Sequence, residues 1–450
     1  MRFSELDGAR VGVWGAGREI ASFAEQLSRR LPSAQIAVAV FDEEPAEDVR
    51  AKLRSPDVQV VSAAEAQRAL NGCEVLVRSP GVSIHRPELQ ALLAQGLPVT
   101  TATSLWLAER GGQGVLGVTG TKGKSTTAAL AAHVARAGGV TVALAGNIGV
   151  PALDLLDLEQ QPQVTIVELS SYQIADLESG PQVALLTNLY REHADWHGSE
   201  QVYREEKLRL LGLASVQTAV VRPQELELAR AQGGLQVLAF GEPDGWHLQG
   251  DEIALGGDGK LSLAELPLAG AHNALNLCAA LTALEAMDVP IPPLADALAD
   301  FRALPHRLQP VVERDGVLWV DDSISTTPES ALAALASFPD RPLVLIGGGQ
   351  ERGQDYGELA RALAQREASV VGVGSTGARL IAAARAAGVP PERAVESSDL
   401  DQAVELARGL ASDGGAVLLS PAAPSYDNFR DFAERGERFQ ELVLGLSLLT

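Results

Sequence analysis

Short apolar runs alternate with longer Ala/Leu-rich stretches of helical spacing through most of this chain. That pattern confines the fold to βα repeats around parallel sheets, because such runs lack the polar alternate positions of a strand with one wet face. In the first hundred residues ARVGVWG, IAVAVFD and CEVLVRS are predicted strands, with helices near 18–30 and 87–95. Gly111-Gly112-Gln113-Gly114 interrupts the pattern as a linker before VLGVTG restarts it. From Val115 the order is strand, turn, helix (about 124–137), then strands TVALAGN, VTIVELS and VALLTNL, with weaker β signals between 218 and 268 and helices after His272. Proline at 305 and 310 marks a second linker in RALPHRLQPVV. The alternation resumes with VLWVDD, PLVLIGGG, SVVGVG and GAVLLSP. Three α/β domains follow, at 1–110, 111–305 and 306–450.

The formal charge of -22, from 36 basic and 58 acidic residues, repels nucleic acid and anionic membranes, so neither is an expected partner and any phosphate-bearing ligand needs a local site. Cys73 and Cys278 form no CxxC pair, which argues against a disulfide framework or a thiolate zinc site and for a reducing, cytoplasmic setting. No signal-peptide core and no run long enough to span a bilayer is present.

The strand VLGVTG runs into Gly120-Thr121-Lys122-Gly123-Lys124-Ser125-Thr126 and then an Ala-rich helix. Glycines 120 and 123 let backbone N–H groups turn toward an anion, and the helix N-terminus adds partial positive charge. Lys124 supplies a point charge for β/γ-phosphates, and the hydroxyl of Ser125 or Thr126 suits Mg²⁺. The loop is GxxGKS, shorter than the general Walker A spacing. A structural strand-to-helix turn with a surface lysine is the bland alternative.

Further candidates lie downstream. Glu168 closes VTIVELS, and strand C-termini are where α/β proteins gather ligands; a lone carboxylate with phosphate oxygens and waters is an ordinary Mg²⁺ supply. In TNLYREHADWHGS, His193, Asp195 and His197 alternate, which fits a zinc cluster or an ordinary polar turn equally well. Lys207 in YREEKLRLL reads as a solvated helix lysine, and Asn273 in GAHNALN as a helix cap. VGVWGAGREI resembles a dinucleotide fingerprint, but Ile20 stands at the third glycine position, and a dehydrogenase would leave GKST unexplained.

GVTGTKGKST, together with ELSSYQ, resembles the Mur ligases and their folate polyglutamate synthetase relatives, with Lys122 where the family has asparagine. The resemblance implies an N-terminal Rossmann-like domain, a central P-loop-type ATPase domain with a mostly parallel sheet, and a C-terminal Rossmann-like domain. It implies an ATP-dependent amide-bond-forming ligase in which Glu168 and His193 hold two Mg²⁺ ions and Lys207, in the YxxxK segment, is carbamylated. A carbamate makes the lysine an anion able to approach metal, which an ammonium cannot do. Glu192 stands where the family has aspartate before the histidine. By the same resemblance Asn147 in AGNIGVP places the acyl substrate, Asn273 and Asn276 contact adenosine, Arg307 in LPHR approaches the phosphates and Asp322 holds the ribose. ATP would then lie between the central and C-terminal domains. Gly15, Asp42 and the Ser79-Pro80-Gly81 turn become contacts to a uridine diphosphate.

SPAAPSYDNFRDFAERGERF resembles the segment of the D-glutamate-adding member, with Ser425 and Phe432 at glutamate-binding positions. DDSISTTPES resembles that member's DSKATNP motif, except that Ile324 replaces lysine; Arg352 is the basic residue that could stand in on that side. The expected reaction joins D-glutamate to UDP-N-acetylmuramoyl-L-alanine through an acyl phosphate, performed by a monomer in cell-wall synthesis. A sister ligase, a folate polyglutamate synthetase and a P-loop regulatory NTPase are the alternatives.

Overall fold

Strands β1 (Arg10–Trp14), β2 (Gln35–Val40), β3 (Gln59–Val61), β4 (Val75–Arg78) and β5 (Val99–Thr100) make a parallel sheet in the order β3-β2-β1-β4-β5. The helix Arg18–Arg30 follows β1 and buries Ile20, Phe23, Ala24 and Leu27, the i, i+3, i+4, i+7 stripe of an amphipathic helix. The helix Ala102–Arg110 is capped by Thr101, whose hydroxyl accepts from Ser104 N, and ends on Gly111 at φ 79°. The computed structural model describes every residue except 16, 42–45, 191–199, 269, 303–304, 352–353 and 447–450, and the backbone alone at 200 and 329. Asp42, His193 and Arg352 lie outside the described residues.

The second sheet holds β6 (Val115–Thr119), β7 (Val142–Gly146), β8 (Val164–Glu168), β9 (Val183–Leu186), β10 (Thr218–Val221) and β11 (Gln236–Ala239), all parallel, in the order β11-β10-β9-β6-β8-β7. β6, β8 and β9 are buried along their whole length, as strands covered on both faces must be. The Ala-rich helices Lys124–Ala137 and Ala271–Glu285 pack on each other and on this sheet, their small side chains allowing a close approach. A small antiparallel sheet, β12 (Trp246–Gln249), β13 (Glu252–Leu255) and β14 (Asp258–Ser262), accounts for the later part of the weak β signal.

These sheets belong to one unit, Met1–Phe301; Arg302–Thr450 forms a second. The second unit is one sheet of β15 (Gln309–Arg314), β16 (Val317–Asp321), β17 (Leu343–Gly347), β18 (Ser369–Gly372), β19 (Ala394–Glu396) and β20 (Ala416–Leu419), in the order β15-β16-β20-β17-β18-β19. β15 alone is antiparallel to its neighbour, and it occupies part of the segment expected as a linker. Pro310 is tolerated because β15 is an edge strand with a register shift between Pro310 and Val312. The Gly111–Gly114 linker is likewise a tight turn: a side chain at Gly112 would meet Gly180 O at 2.6 Å, and one at Gly114 would meet Gln163 O at 2.8 Å. In the first two sheets the chain doubles back beside β1 and beside β6, and the loops leaving those two strands occupy the switch points where open α/β sheets bind ligands.

Candidate functional site

β6 delivers the phosphate loop, and the end of β9 straps it in place. Asn188 Oδ1 accepts from Lys122 N (2.8 Å), while Asn188 Nδ2 and Thr187 Oγ1 both donate to Lys122 O. This main-chain harness places residue 122 without recourse to its side chain. Gly123 sits at φ 82°, and a Cβ there would lie 2.5 Å from Asn276 Oδ1. The structure thus brings Asn276 onto the loop; Asn273 Oδ1 in turn accepts from Asn276 Nδ2 at 3.3 Å. Lys124 begins the helix and folds its ammonium back onto Gly120 O (3.0 Å) and Thr121 O (2.9 Å), with Ser125 and Thr126 buried behind it.

Lys207 is only 2 % exposed, contrary to a solvated helix lysine. Its Nζ donates to Gly120 O at 2.8 Å and lies 4.9 Å from the Tyr203 ring centroid, while the Tyr203 hydroxyl pairs with Thr121 Oγ1 at 2.9 Å. One helix, Glu200–Arg209, therefore presses both residues against the phosphate loop.

Glu168 is buried at the end of β8. Its Oε1 accepts from Asn147 Nδ2 at 3.2 Å, and Oε2 has no hydrogen-bond partner. A buried carboxylate oxygen left open is costly unless something electropositive completes it. A hard divalent cation fits that atom, with further oxygens from phosphate, the Ser125 hydroxyl and water. No cluster of three or more His, Cys, Asp or Glu exists among the described residues, and the His193–His197 alternation lies outside them.

A cavity of about 390 Å³ opens beside this group. Lys124, Asn147 and Lys207 line it, facing Ser79, Pro80 and Gly81 from the first sheet and the Ser170–Gln173 turn after β8. Gly15, at φ 90°, packs against the Ser79 end of this lining: a side chain there would meet Ser79 Cβ at 2.8 Å. The Ser79–Gly81 turn is held by Arg78, a fully buried residue that sequence reasoning missed. Its guanidinium donates to Pro80 O (3.2 Å), Val82 O (2.9 Å) and Tyr172 O (2.8 Å), and pairs with Asp176 at 2.9 Å. Burial raises the Asp176 carboxyl, with Arg78 pulling it back down. The available signal was a charge closing an otherwise apolar strand.

In the second unit Asp322 follows β16. It accepts from Leu308 N (3.0 Å) and from the Ser420 hydroxyl (2.7 Å), and burial pushes its carboxyl up to about 6 against those bonds and the nearby Arg307 charge. His306 bonds Asp321 Oδ2 at 2.7 Å, which raises its basicity, and its ring meets Phe432 edge-on at 6.1 Å. Ser425 is buried, and Ile324 N bonds His306 O at 3.1 Å, fixing where its uncharged side chain stands. Arg435 was also missed. It donates to Ser323 O (2.9 Å), Ser323 Oγ (3.0 Å) and Ala423 O (3.2 Å), joining the loop after β16 to the loop after β20; burial lowers its pKa to about 10.

Three family models cover most of the chain: a MurD-like Mur ligase N-terminal domain at 10–101, the Mur ligase middle domain at 118–284 and the Mur ligase glutamate ligase domain at 306–423. A protein of Xanthomonas campestris pv. campestris named UDP-N-acetylmuramoyl-L-alanine--L-glutamate ligase is 42% identical over 98% of this chain and 97% of its own. A Salinispora tropica protein of the same name is 40% identical over 98% and 99%. Both names carry L-glutamate where the motif at 420–439 suggested the D enantiomer. Among solved structures, the MurF ligase of Thermotoga maritima in complex with ADP shares the fold at a TM-score of 0.56 and 18% identity, over 97% of each chain.

Proposed function

Because this chain belongs to the Mur ligase family, we propose that it joins L-glutamate to UDP-N-acetylmuramoyl-L-alanine at the expense of ATP, in peptidoglycan precursor synthesis. That the chain is an amide-bond-forming ligase goes with the family; the enantiomer is our reading, taken from the relatives' names in place of the D-glutamate expected from the sequence. The observation that carries the catalytic reading is the convergence at the end of β8. An open carboxylate oxygen on Glu168, the Asn147 amide, the Lys207 amine and the phosphate loop all gather beside one cavity.

In this reading the alanyl carboxylate enters the cavity between the Ser79–Gly81 turn and Asn147, whose amide both donates and accepts. Its oxygen attacks the γ-phosphorus of ATP, the bond to the ADP oxygen breaks, and an acyl phosphate results. The amine of glutamate then attacks the carbonyl carbon, the C–O bond to phosphate breaks, and the nitrogen loses a proton. Lys124 exchanges its loop carbonyls for phosphate oxygens and offsets charge on the transferring group. Glu168, the Ser125 hydroxyl, Lys207 as a carbamate and His193 would hold magnesium, which when bound neutralises phosphate charge. Asn273, Asn276, Arg307 and Asp322 are proposed nucleotide contacts; Gly15, Asp42 and the Ser79–Gly81 turn are proposed contacts of the uridine diphosphate. Ser425, Phe432 and Arg352 are proposed for glutamate. The reading keeps a monomer in the cytoplasm.

Ile324 supports the change of enantiomer. D- and L-glutamate that present the same amine to one acyl phosphate send their side-chain carboxylates in different directions, so a lysine placed for one is misplaced for the other. Phosphate release with UDP-N-acetylmuramoyl-L-alanine and each glutamate enantiomer tests the proposal. Release that requires L-glutamate supports it. Release with D-glutamate alone restores the first expectation, and release indifferent to both rejects the glutamate ligase.

A further inference from the structure

Two loops flank Glu168, and adjacent residues of one first-sheet helix fasten both. On one side is the Gly146–Gly149 loop. Arg18 Nη2 donates to Gly146 O (2.6 Å) and Asn147 O (3.2 Å), and Nη1 to Gly149 O (3.0 Å). Gly146 and Gly149 lie at φ 95° and 73°, and a side chain at either would run into backbone carbonyls. The loop is therefore bent until three carbonyls converge, an arrangement that attracts a cation, and a planar guanidinium fork supplies it. From this loop Asn147 N bonds Glu168 O at 3.0 Å and Asn147 Nδ2 bonds Glu168 Oε1 at 3.2 Å.

On the other side is the Ser170–Gln173 turn. Gln173 Oε1 accepts from Ser170 N (2.8 Å) and Ser170 Oγ (2.9 Å), closing the turn that follows Glu168. Its free amide end donates to Glu19 Oε1 at 2.5 Å, and Thr103 Oγ1 donates to Glu19 Oε2 at 3.1 Å. The same amide also reaches Thr103 Oγ1 at 3.3 Å, so Glu19 and Thr103 together hold Gln173, with Glu19 making the shorter bond.

We infer that Arg18 and Glu19 form a two-armed positioning device: one arm sets the Asn147 loop, the other the Ser170–Gln173 turn, and together they aim Glu168 at its cation. The first sheet thereby tunes the metal affinity of the second. The inference rests on the proposed role of Glu168. The helix that carries the pair stays docked without it, because Ser22 bonds Asp154 (2.5 Å) and Gln26 bonds Asp157 (2.8 Å) further along the same face, with Ile20, Phe23 and Leu27 buried beneath. The arms are thus separable from folding.

The test is Mn²⁺ affinity, read by electron paramagnetic resonance on enzyme carrying a stoichiometric non-hydrolysable ATP analogue. Arg18→Met and Glu19→Ala are each expected to weaken Mn²⁺ about tenfold or more, the range for residues that orient a metal ligand. Metal-free binding of the analogue and the melting temperature should stay near the parent's. Arg18→Lys should recover part of the loss, since an ammonium still reaches one or two of the carbonyls. Glu168→Gln is the control. If it abolishes tight Mn²⁺ binding while Arg18→Met and Glu19→Ala bind within twofold of the parent, the positioning inference is overturned. If Glu168→Gln itself binds Mn²⁺ normally, Glu168 is not the ligand and the inference falls with that reading.

Discussion

Replacing Asp322 by asparagine should stabilise the protein at pH 8 and flatten part of its pH dependence. The Asp322 carboxyl, ordinarily near 3.8, is pushed up to about 6 by burial. A native pKa above the unfolded one means that the folded state binds more protons between about pH 4 and pH 6. Stability from this group is therefore present at low pH and is lost as pH rises through about 6. A gap of about 2 units corresponds to about 3 kcal/mol at neutral pH. Asparagine can keep the local bonds: its oxygen accepts from Leu308 N, its amide donates to Ser420 Oγ once that hydroxyl turns, and the Ser325 side chain, which also bonds Asp322, can donate to the oxygen or accept from the amide. Thermal unfolding at pH 5 and pH 8 is the assay. The difference between variant and parent should grow by several degrees toward pH 8, on the order of 2–4 °C per kcal/mol. The same variant should bind ATP more weakly, because an amide is a poorer acceptor for ribose hydroxyls than a carboxylate. A variant less stable than the parent at pH 8, or one with the parent's full pH slope, would refute the assignment of a costly buried charge.

Lys207→Ala should lower ligation by roughly 10- to 100-fold with the fold intact, the scale expected when a group supporting a metal site is lost. A carbamate mass increment confined to Lys207 and lost on acidification would accompany activity in the parent, and full activity of the alanine variant would sink the idea. Gly436→Ala should destabilise the second unit by roughly 0.5–2 kcal/mol. The about 1 kcal/mol gained in helix propensity is outweighed by loss of the His306–Asp321 bond, worth roughly 1.5–3 kcal/mol, because the new Cβ would contact His306 Nδ1 and lie 2.7 Å from Asp321 Oδ2. A raised melting temperature would show that the pair is not held against this helix.

What was legible in the sequence was local. The phosphate loop announces itself because strand, glycine turn, lysine and helix are consecutive, and the structure needs those glycines: Gly123 stands at positive φ against Asn276. Glu168 and Asn147 were legible as motif residues, but their direct contact was not, since 21 residues separate them. Lys207 was misread on pattern alone, because a helix of acidic and basic neighbours looks solvated until the phosphate loop is seen to cover one face of it. Pro310 read as a break because a proline stops a central strand, and nothing in the sequence says which strand lies at an edge.

The charges that sequence reasoning passed over share a physical situation that gives a usable rule. Arg78 and Arg435 are buried with most donors spent on backbone carbonyls, and Arg18 donates to three carbonyls of a glycine loop. Such carbonyls belong to segments that leave the sheets at the ends of β4, β7, β8, β16 and β20, where the backbone has no ladder to satisfy it. An arginine next to glycine, or one closing an apolar strand, is the trace this leaves: Gly436 beside Arg435 lets a helix pass the His306–Asp321 pair, and Arg78 ends a run of buried Val and Leu. Motif residues are the proposed contacts of the reactants, while these arginines tie down the loops that bear them. A substitution at Arg435 should therefore impair the proposed glutamate and nucleotide contacts together, as its two arms end on Ser323 and Ala423, beside Asp322 and near Ser425.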